Sequence, residues 1–220
     1  MRVGVVIPSY NVGERLRNVL SKTLGHVPKD RIFVVDDGST DHTAEVVRQA
    51  GVNRLSHSHN RGKGAALRTG FREALDSNLD AVFVIDGDGQ HDPDRIPAFL
   101  RVMRETGCDA VFGVRQFCLG KMPADRIVSN TLSSLIASAV VRLKLRDSQC
   151  GYRLFRADVL RRMEIASDKF EVETEMLIKT VQMGCRIQTC PVPTVYFGRG
   201  SHIHRLTDTF RFCRLILRSL

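Results

Sequence analysis

Short apolar runs alternate with amphipathic stretches through the first half of the chain. Residues 3–7, 32–35 and 81–85 are apolar throughout and rich in β-branched side chains, a pattern typical of buried strands. Shorter strand patterns occur at 54–56 and 110–112. Apolar residues at helical spacing separate these runs. The alternation predicts an α/β fold in which helices cover both faces of a mainly parallel sheet.

The predicted helices fill the segments between the strands. They span residues 13–24, 64–75, 92–105, 127–143 and 171–182, and a further helix, capped by Thr40 or Asp41, runs through Val47. Residues 152–155 predict another strand and residues 186–197 an extended segment. Neither a linker nor an internal repeat interrupts residues 1–204, which we interpret as one domain followed by a distinct C-terminal segment, 205–220.

The composition excludes several classes of protein. Of the 220 residues, 43% are hydrophobic and 26% are charged, which is typical of a globular protein with a sizeable core rather than a disordered chain. The 33 basic residues outnumber the 24 acidic ones and leave a formal net charge of +9. That excess favours an anionic partner, such as a nucleic acid, a membrane surface or a phosphorylated substrate. Nucleic acid is the least favoured of these, because the chain has no Trp and only 3 Tyr to stack on bases.

Polar and mostly acidic residues follow three of the predicted strands. The first strand is followed by PSYN (8–11), the second by DDGS (36–39) and the strand at 81–85 by DGDGQ (86–90). The carboxyl ends of parallel strands meet at one edge of a sheet, where ligands bind in open α/β folds. Carboxylates gathered at such an edge need a compensating cation, and a divalent metal is the simplest one.

Asp86 and Asp88 form a DxD arrangement directly after a strand. Hard oxygen ligands at alternating positions suit Mg²⁺ or Mn²⁺ and leave positions open for phosphate oxygens, and Gln90 can add a neutral oxygen. The alternative is an acidic turn in which Gly87 and Gly89 serve only the backbone conformation. The preceding strand and the QHDP sequence that follows favour the metal site.

Two further segments carry candidate ligand-binding residues. Asp37 can hydrogen-bond a nucleotide base or ribose, with Tyr10 stacking or hydrogen-bonding nearby, although its segment also suits a helix-capping turn. The segment from Asn60 to Gly64 places two glycines and two cations before a helix, which suits contact with phosphate. The segment lacks the spacing of a Walker loop.

Together these segments resemble glycosyltransferase family 2, whose members have the GT-A fold and use nucleotide sugars. The resemblance is carried by VVIPSYN (5–11), VVDDGSTD (34–41), NRGKGAALRTGF (60–71) and VIDGDGQHDP (84–93). Within the family, the chain is similar to dolichol-phosphate mannosyltransferase-like enzymes, which transfer a sugar to a polyprenyl phosphate. This closer likeness rests on the DxDxQ motif, FGVRQF (112–117), the segment 147–155, and Val192-Pro193 followed by Arg199 and Ser201.

The resemblance implies where the donor would bind. The nucleoside pocket would be lined by Pro8, Tyr10, Val35 and Asp37. The diphosphate would be held, through Mg²⁺ or Mn²⁺, by Asp86, Gly87 and Asp88, with Gln90 completing the metal shell. Phosphate groups would also be contacted by Arg115 and Arg199.

The resemblance also implies a catalytic set and an acceptor site. The catalytic set is Asp88, Arg115 and Asp147, of which Asp147 would orient the acceptor. The acceptor phosphate would be contacted by Arg153, Ser201 and His202, the last standing where the family usually has Lys. Glu173 and Glu175 either face the sugar or interact with a helix dipole.

The reaction implied is the inverting transfer of a hexose from GDP-mannose or UDP-glucose to a polyprenyl phosphate. The acceptor is a phosphate monoester, ionised near neutral pH, so a strong general base is unnecessary. One alternative is a family 2 enzyme that glycosylates a saccharide hydroxyl, which would need a carboxylate base. The alternatives without activity are a basic nucleic-acid-binding module and a silent GT-A scaffold.

The C-terminal segment 205–220 predicts a basic amphipathic helix, with aromatic and aliphatic residues among four arginines. Such a helix can lie on a membrane surface, pack on the domain, or bind a membrane partner subunit. The six cysteines include no CxxC pair, which favours reduced thiols, and the apolar run at 3–7 is too short for a signal-peptide core. We therefore expect a cytoplasmic protein bound peripherally to the cytosolic face of a membrane.

Overall fold

The computed structural model describes residues 1–115, 124–141, 147–193 and 211–217. Three predicted site residues, Arg199, Ser201 and His202, lie outside these ranges, as does much of the predicted C-terminal segment. Of that segment, residues 211–217 are described and are helical.

Seven strands and seven α-helices make up the domain in the described ranges before residue 194. The strands are β1 (Val3–Ser9), β2 (Ile32–Asp36), β3 (Asn53–Ser56), β4 (Ala81–Val84), β5 (Ala110–Arg115), β6 (Arg153–Arg156) and β7 (Ile187–Val192). The helices are α1 (Gly13–Leu24), α2 (Thr43–Ala50), α3 (Lys63–Asp76), α4 (Ile96–Thr106), α5 (Ala124–Val141), α6 (Ala157–Arg162) and α7 (Val172–Gln182). Within the described ranges before residue 194, each predicted helix and strand has a counterpart, and the short helix α6 is an element that the sequence pattern did not predict.

Two helices start a few residues later than predicted, each after a short turn that an aspartate side chain stabilises. The Asp41 carboxylate accepts a hydrogen bond of 2.9 Å from the Thr43 amide, so α2 begins at Thr43 rather than directly after residue 41. Asp92 accepts from the Asp94 amide, and the residues after it form a 3-10 turn, Pro93–Arg95, before α4 begins. Both starts follow the preference of aspartate for positions just before a helix.

The strands form one sheet in the order β3-β2-β1-β4-β6-β5-β7. Every neighbouring pair is parallel except those of β6, which is antiparallel to both β4 and β5. The carboxyl ends of β1, β2 and β4 therefore lie at one edge of the sheet, as predicted. Because β6 runs the other way, its first residue, Arg153, pairs with Val84 at the end of β4. The segment that precedes β6 is thereby brought to the same edge.

Helices cover both faces of the sheet, as the apolar strands predict. On one face, Val5 and Ile7 of β1 belong to a core that includes Leu16 of α1 and Phe99 of α4. On the other face, Val6 belongs to a second core with residues from α3, α6 and α7. Successive residues of β1 thus belong to the cores on opposite faces of the sheet, so the strand must be apolar throughout. Among the described residues, no helix is both long and apolar enough to cross a lipid bilayer.

Candidate functional site

Loops from five parts of the chain meet at the carboxyl edge of the sheet. The loops after β1, β2 and β4 reach it from strand ends, and Arg115 reaches it from the end of β5. The segment 147–151 reaches it because β6 is antiparallel. The sheet topology thus brings residues as far apart in the sequence as 9 and 151 into one site.

The loops after β1 and β2 are joined by hydrogen bonds. The Asn11 amide donates to Ser39 Oγ at 3.0 Å, and the Thr40 amide donates to Asn11 Oδ1 at 2.9 Å. Thr43 Oγ1 accepts from the amides of Val12 and Gly13. Asn11 adopts a φ of 50°, a left-handed conformation that Asn tolerates better than most residues. These contacts hold the PSYN and DDGS segments in one arrangement.

Asp37 lies between the β2 loop and the loop that precedes α3. Its Oδ1 is 2.6 Å from His57 Nδ1 and accepts from the Arg61 amide at 2.9 Å, while Oδ2 accepts from the Gly62 amide at 2.7 Å. His57 Nε2 is in turn 2.9 Å from Thr69 Oγ1. Both carboxylate oxygens of Asp37 therefore organise the loop 57–62, a role that the capping interpretation anticipated only in part.

The other predicted nucleoside-pocket residues lie on the neighbouring strands. Pro8 and Val35 are paired in register between β1 and β2, and both are buried. Tyr10 follows β1 and is half-buried. The structure places these residues beside one another at the sheet edge, and their contact with a nucleoside stays a prediction.

The DxD motif follows β4 and crosses close to the end of β1. A side chain at Gly87 would place its Cβ only 2.5 Å from Ser9 Oγ, so any larger residue there would have to displace the Ser9 side chain. Asp88 Oδ1 accepts a hydrogen bond of 2.9 Å from the Gln90 amide. The turn is therefore compact and holds Asp86 and Asp88 on one short stretch of backbone.

The pKa values of the two carboxylates of the motif are shifted in opposite directions. Burial raises the pKa of Asp88, and the negative charge of Asp86 raises it further. Burial alone would also raise the pKa of Asp86, but the neighbouring cationic groups, chiefly Lys63, together outweigh it and keep the pKa below the usual range. Asp88 is thus a carboxylate in a site that already holds a negative charge.

Lys63 is the cation that pairs with the motif. Its Nζ contacts Asp86 Oδ1 and lies 2.5 Å from Glu173 Oε1, and its side chain is only 11% exposed. Burial alone would lower the pKa of Lys63, but the charges of Asp86 and Glu173 raise it, so the amine stays protonated. Sequence analysis had assigned the loop containing Lys63 to phosphate contact and did not anticipate this pairing.

The two glutamates at the start of α7 have different partners. Glu175 accepts hydrogen bonds of 2.8 Å from the amides of Ala166 and Ser167 and pairs with Lys179. Glu175 therefore stabilises the preceding loop through both of its carboxylate oxygens. Glu173 instead reaches the sheet edge through Lys63.

Arg115 and Asp147, two of the predicted catalytic residues, form a bidentate ion pair. Arg115 Nε donates to Asp147 Oδ2 at 2.7 Å and Nη2 donates to Oδ1 at 2.8 Å, while the Asp147 side chain is fully buried. Burial alone would raise the pKa of Asp147, but the hydrogen bonds from Arg115 lower it. The planar fork of the guanidinium is thereby fixed at the end of β5.

Arg153, predicted to bind the acceptor phosphate, lies inside the protein. It is 2% exposed, and its nitrogens donate to the main-chain oxygens of Cys150, Ser148 and Glu173. Its guanidinium also lies over the Phe112 ring, 4.8 Å from the centroid. With all three nitrogens bonded to carbonyls, Arg153 braces the segment 148–151, and we do not assign it to the acceptor.

His91, just after the motif, is a buried neutral imidazole. Burial lowers its pKa to about 4, and its Nδ1 accepts from the Asp86 amide at 3.2 Å. Its ring stacks on Tyr152 with centroids 5.2 Å apart. His91 therefore supports the backbone of the motif and is not charged at neutral pH.

The residues of the motif fit a divalent cation. Asp86 and Asp88 provide hard carboxylate ligands, and the repulsion that raises the pKa of Asp88 is the kind that a bound dication would relieve. Within the described ranges, no group of three or more His, Cys, Asp or Glu residues could hold a metal alone. Such a cation would complete its shell with Gln90, water or substrate oxygens.

Comparisons with known proteins agree with this site. The model for glycosyl transferase family 2 matches residues 4–163. An undecaprenyl-phosphate mannosyltransferase of Micrococcus luteus is 33% identical over 206 residues, covering 89% of this chain and 84% of that protein. A UDP-N-acetylglucosamine–dolichyl-phosphate N-acetylglucosaminyltransferase of Methanococcus voltae is 27% identical, covering 90% of this chain and 89% of that protein.

Solved structures show the same fold. Glucosyl-3-phosphoglycerate synthase of Mycobacterium tuberculosis, in complex with Mn²⁺, UDP and glucosyl-3-phosphoglycerate, superposes with a TM-score of 0.73. The match covers 99% of this chain and 77% of the synthase, at 21% sequence identity. The fold is therefore that of a GT-A glycosyltransferase, and the sequence matches identify an enzyme rather than a nucleic-acid-binding module. The chain belongs to glycosyl transferase family 2.

Proposed function

We propose that this glycosyltransferase moves a hexose, mannose or glucose, from a nucleoside diphosphate donor to a polyprenyl phosphate, with inversion and with a divalent cation. The single observation that carries the proposal is the DxD carboxylate pair, half-buried at the edge where the β1 and β2 loops meet. The names of the relatives support the acceptor class, because they include undecaprenyl phosphate and dolichyl phosphate.

The donor would lie across the carboxyl edge of the sheet. Its nucleoside would contact Pro8, Tyr10, Val35 and the loop that Asp37 organises. Asp86, Asp88 and Gln90 would hold Mg²⁺ or Mn²⁺, which would neutralise charge that develops on the leaving diphosphate. Gly87 lets the backbone approach closely, so the diphosphate can lie against the turn.

Arg115 would stabilise the diphosphate as it leaves. Its guanidinium is held by Asp147 in a fixed orientation, so no reorganisation is needed when charge develops. We therefore propose that Asp147 acts by positioning Arg115 as well as by orienting the acceptor. Arg199, Ser201 and His202 would supply further phosphate contacts.

The state of the carboxylates favours a phosphate acceptor over a saccharide hydroxyl. A hydroxyl acceptor needs a carboxylate free to accept its proton. Among the described carboxylates at this edge, Asp37 is bonded to loop amides and Asp147 to Arg115. Glu173 is paired through Oε1 with Lys63, and Asp86 and Asp88 would be occupied by the metal. An acceptor that is already ionised needs none of them as a base.

The donor class is the first property to test. We expect the melting temperature to rise when Mn²⁺ is added together with one nucleoside diphosphate, GDP or UDP, because a ligand that binds only the folded state stabilises it. The matched arm with chelator should show no shift. The base that gives the shift then selects GDP-mannose or UDP-glucose for a transfer assay with a polyprenyl phosphate. If no nucleotide raises the melting temperature, with or without metal, the proposal is wrong.

Peripheral contact with a membrane would bring the enzyme to its acceptor at the cytosolic face. On α5, Leu132 and Leu135 are 57% and 62% exposed and three residues apart, so they share one face of the helix. In the helical residues 211–217, Leu217 is 72% exposed and Arg214 is also exposed. Exposed apolar side chains together with basic ones suit a bilayer of anionic lipid.

Replacing both leucines tests the membrane contact. We expect Leu132→Ser with Leu135→Ser to lower binding to anionic phospholipid vesicles about tenfold in a sedimentation assay, because two apolar side chains would no longer enter the lipid. Leu24→Ser is the control, since Leu24 is 38% exposed and lies on a different helix, α1. Equal binding by the double variant and the parent protein would show that α5 does not contact lipid.

A further inference from the structure

One buried lysine links three elements around the DxD motif. Lys63 is the first residue of α3, and its Nζ contacts Asp86 after β4 and Glu173 in α7. The space that it occupies depends on Gly151, since a Cβ there would lie 2.8 Å from both Lys63 Nζ and Asp86 Oδ2. Four separate segments therefore converge on one ammonium group.

The ammonium lies on a carboxylate that would hold the metal. The positive charge of Lys63, held beside Asp86, repels an arriving dication, and solvent screens this repulsion only weakly in a site with little exposure. Lys63 alone would therefore weaken a cation site while holding Asp86 in place. The structure needs a second charge that offsets this repulsion.

Glu173 supplies that charge. Its side chain is 9% exposed, Oε1 pairs with Lys63, and Oε2 is buried with no hydrogen-bond partner among the described residues. The nearby cation Arg153 donates to the main-chain oxygen of Glu173 rather than to its carboxylate. The neighbouring Glu175, by contrast, accepts two amide hydrogen bonds from its own loop. The Glu173 carboxylate is thus committed to Lys63.

We propose that Lys63 and Glu173 form a charge-balancing pair of positioning residues that sets the affinity of the cation site. Lys63 holds the Asp86 carboxylate before a cation binds, and Glu173 cancels the repulsion that Lys63 would exert on that cation. This inference rests on the proposed metal dependence and adds residues that are not themselves metal ligands.

The test measures Mn²⁺ affinity rather than activity. Mn²⁺ is titrated by electron paramagnetic resonance, with and without GDP or UDP, into the parent protein, Lys63→Met, Glu173→Gln and the double variant. We expect Glu173→Gln to weaken Mn²⁺ binding about tenfold and Lys63→Met to strengthen it by a similar factor. The double variant should return close to the parent affinity. Lys22→Met is the control, because Lys22 pairs with Asp92 and Asp94, neither of which is a proposed metal ligand.

The direction of each change in Mn²⁺ affinity distinguishes charge balance from a purely structural role, in which Lys63 and Glu173 only hold Asp86 in place. If both single variants lose affinity, or if the double variant binds no better than Glu173→Gln, the inference is wrong. The comparison of Glu173→Gln with the double variant decides the question even if Lys63→Met fails to fold. A parent protein that binds no Mn²⁺, with or without nucleotide, overturns the metal dependence itself and the inference with it. If the parent protein binds Mn²⁺ and the variants bind it with the same affinity, the inference is wrong but the metal dependence stands.

Discussion

Replacement of Asp88 by Asn should lower the rate of sugar transfer by about a hundredfold to a thousandfold, the effect expected when metal stabilisation of a transition state is lost. The folded protein should nevertheless become more stable in chelator. Burial and the charge of Asp86 raise the pKa of Asp88 above its unfolded value, so ionisation of this carboxyl costs stability as the pH rises through that interval. Asn removes that cost at neutral pH.

Two measurements on the same variant check this expectation. Thermal melting in chelator should show an equal or higher midpoint for Asp88→Asn, while the rise produced by Mn²⁺ with a nucleoside diphosphate should disappear. Asp94→Asn is the control, since Asp94 is exposed and pairs with Lys22 and His26, and its transfer rate should be unchanged. A full transfer rate in Asp88→Asn would remove the metal site from the mechanism.

Replacement of Arg153 by Met should destabilise the protein by roughly 3 kcal/mol or more, because three buried carbonyl groups would lose their donor. Met preserves most of the aliphatic volume, so the loss reports the hydrogen bonds and the contact with Phe112 rather than a large cavity. The affected carbonyls belong to Ser148, Cys150 and Glu173, which frame the site. Denaturant unfolding measures this change in the free energy of unfolding.

Arg162→Met, a variant at the surface, is the control for the free energy of unfolding of Arg153→Met. Arg162 carries the same charge, but its side chain is 58% exposed and pairs with Asp158 on the surface. Arg162→Met should therefore change the free energy of unfolding by less than about 1 kcal/mol. If Arg153→Met were equally mild, the bracing role inferred from its three hydrogen bonds would be wrong.

The sheet and the strand-end loops could be predicted from the sequence because their signals are local. The run at 3–7 is apolar throughout, which only a strand buried on both faces explains well, and the acidic DGDGQ segment follows such a run directly. The loops after β1, β2 and β4 then meet for a topological reason that applies to any parallel sheet. The family resemblance added Arg115 and Asp147 to the same edge.

The partners of individual side chains could not be predicted in this way. Lys63 and Glu173 are 110 positions apart, and no pattern along the chain indicates that an ammonium will pair with a given carboxylate. The family resemblance predicts a phosphate contact for Arg153, whereas in the fold its side chain is buried and donates to three main-chain oxygens. Asp37 likewise has the residue type of a ligand contact, but neighbouring amides occupy its oxygens. Burial decides each of these cases, and burial depends on the assembled fold.

The position of β6 has a consequence for how the protein folds during synthesis. It lies between β4 and β5 and pairs with both, yet it follows both along the chain. Until it emerges from the ribosome, β4 and β5 present unpaired edges of the kind that promote intermolecular association. Insertion of β6 closes both edges at once and delivers residues 147–151 beside the DxD turn. The step that joins the two parts of the sheet is therefore also the step that brings these residues to the site, and only the pairing of β7 with the outer edge of β5 remains after it. Chains that end before β6 should be inactive and prone to aggregation.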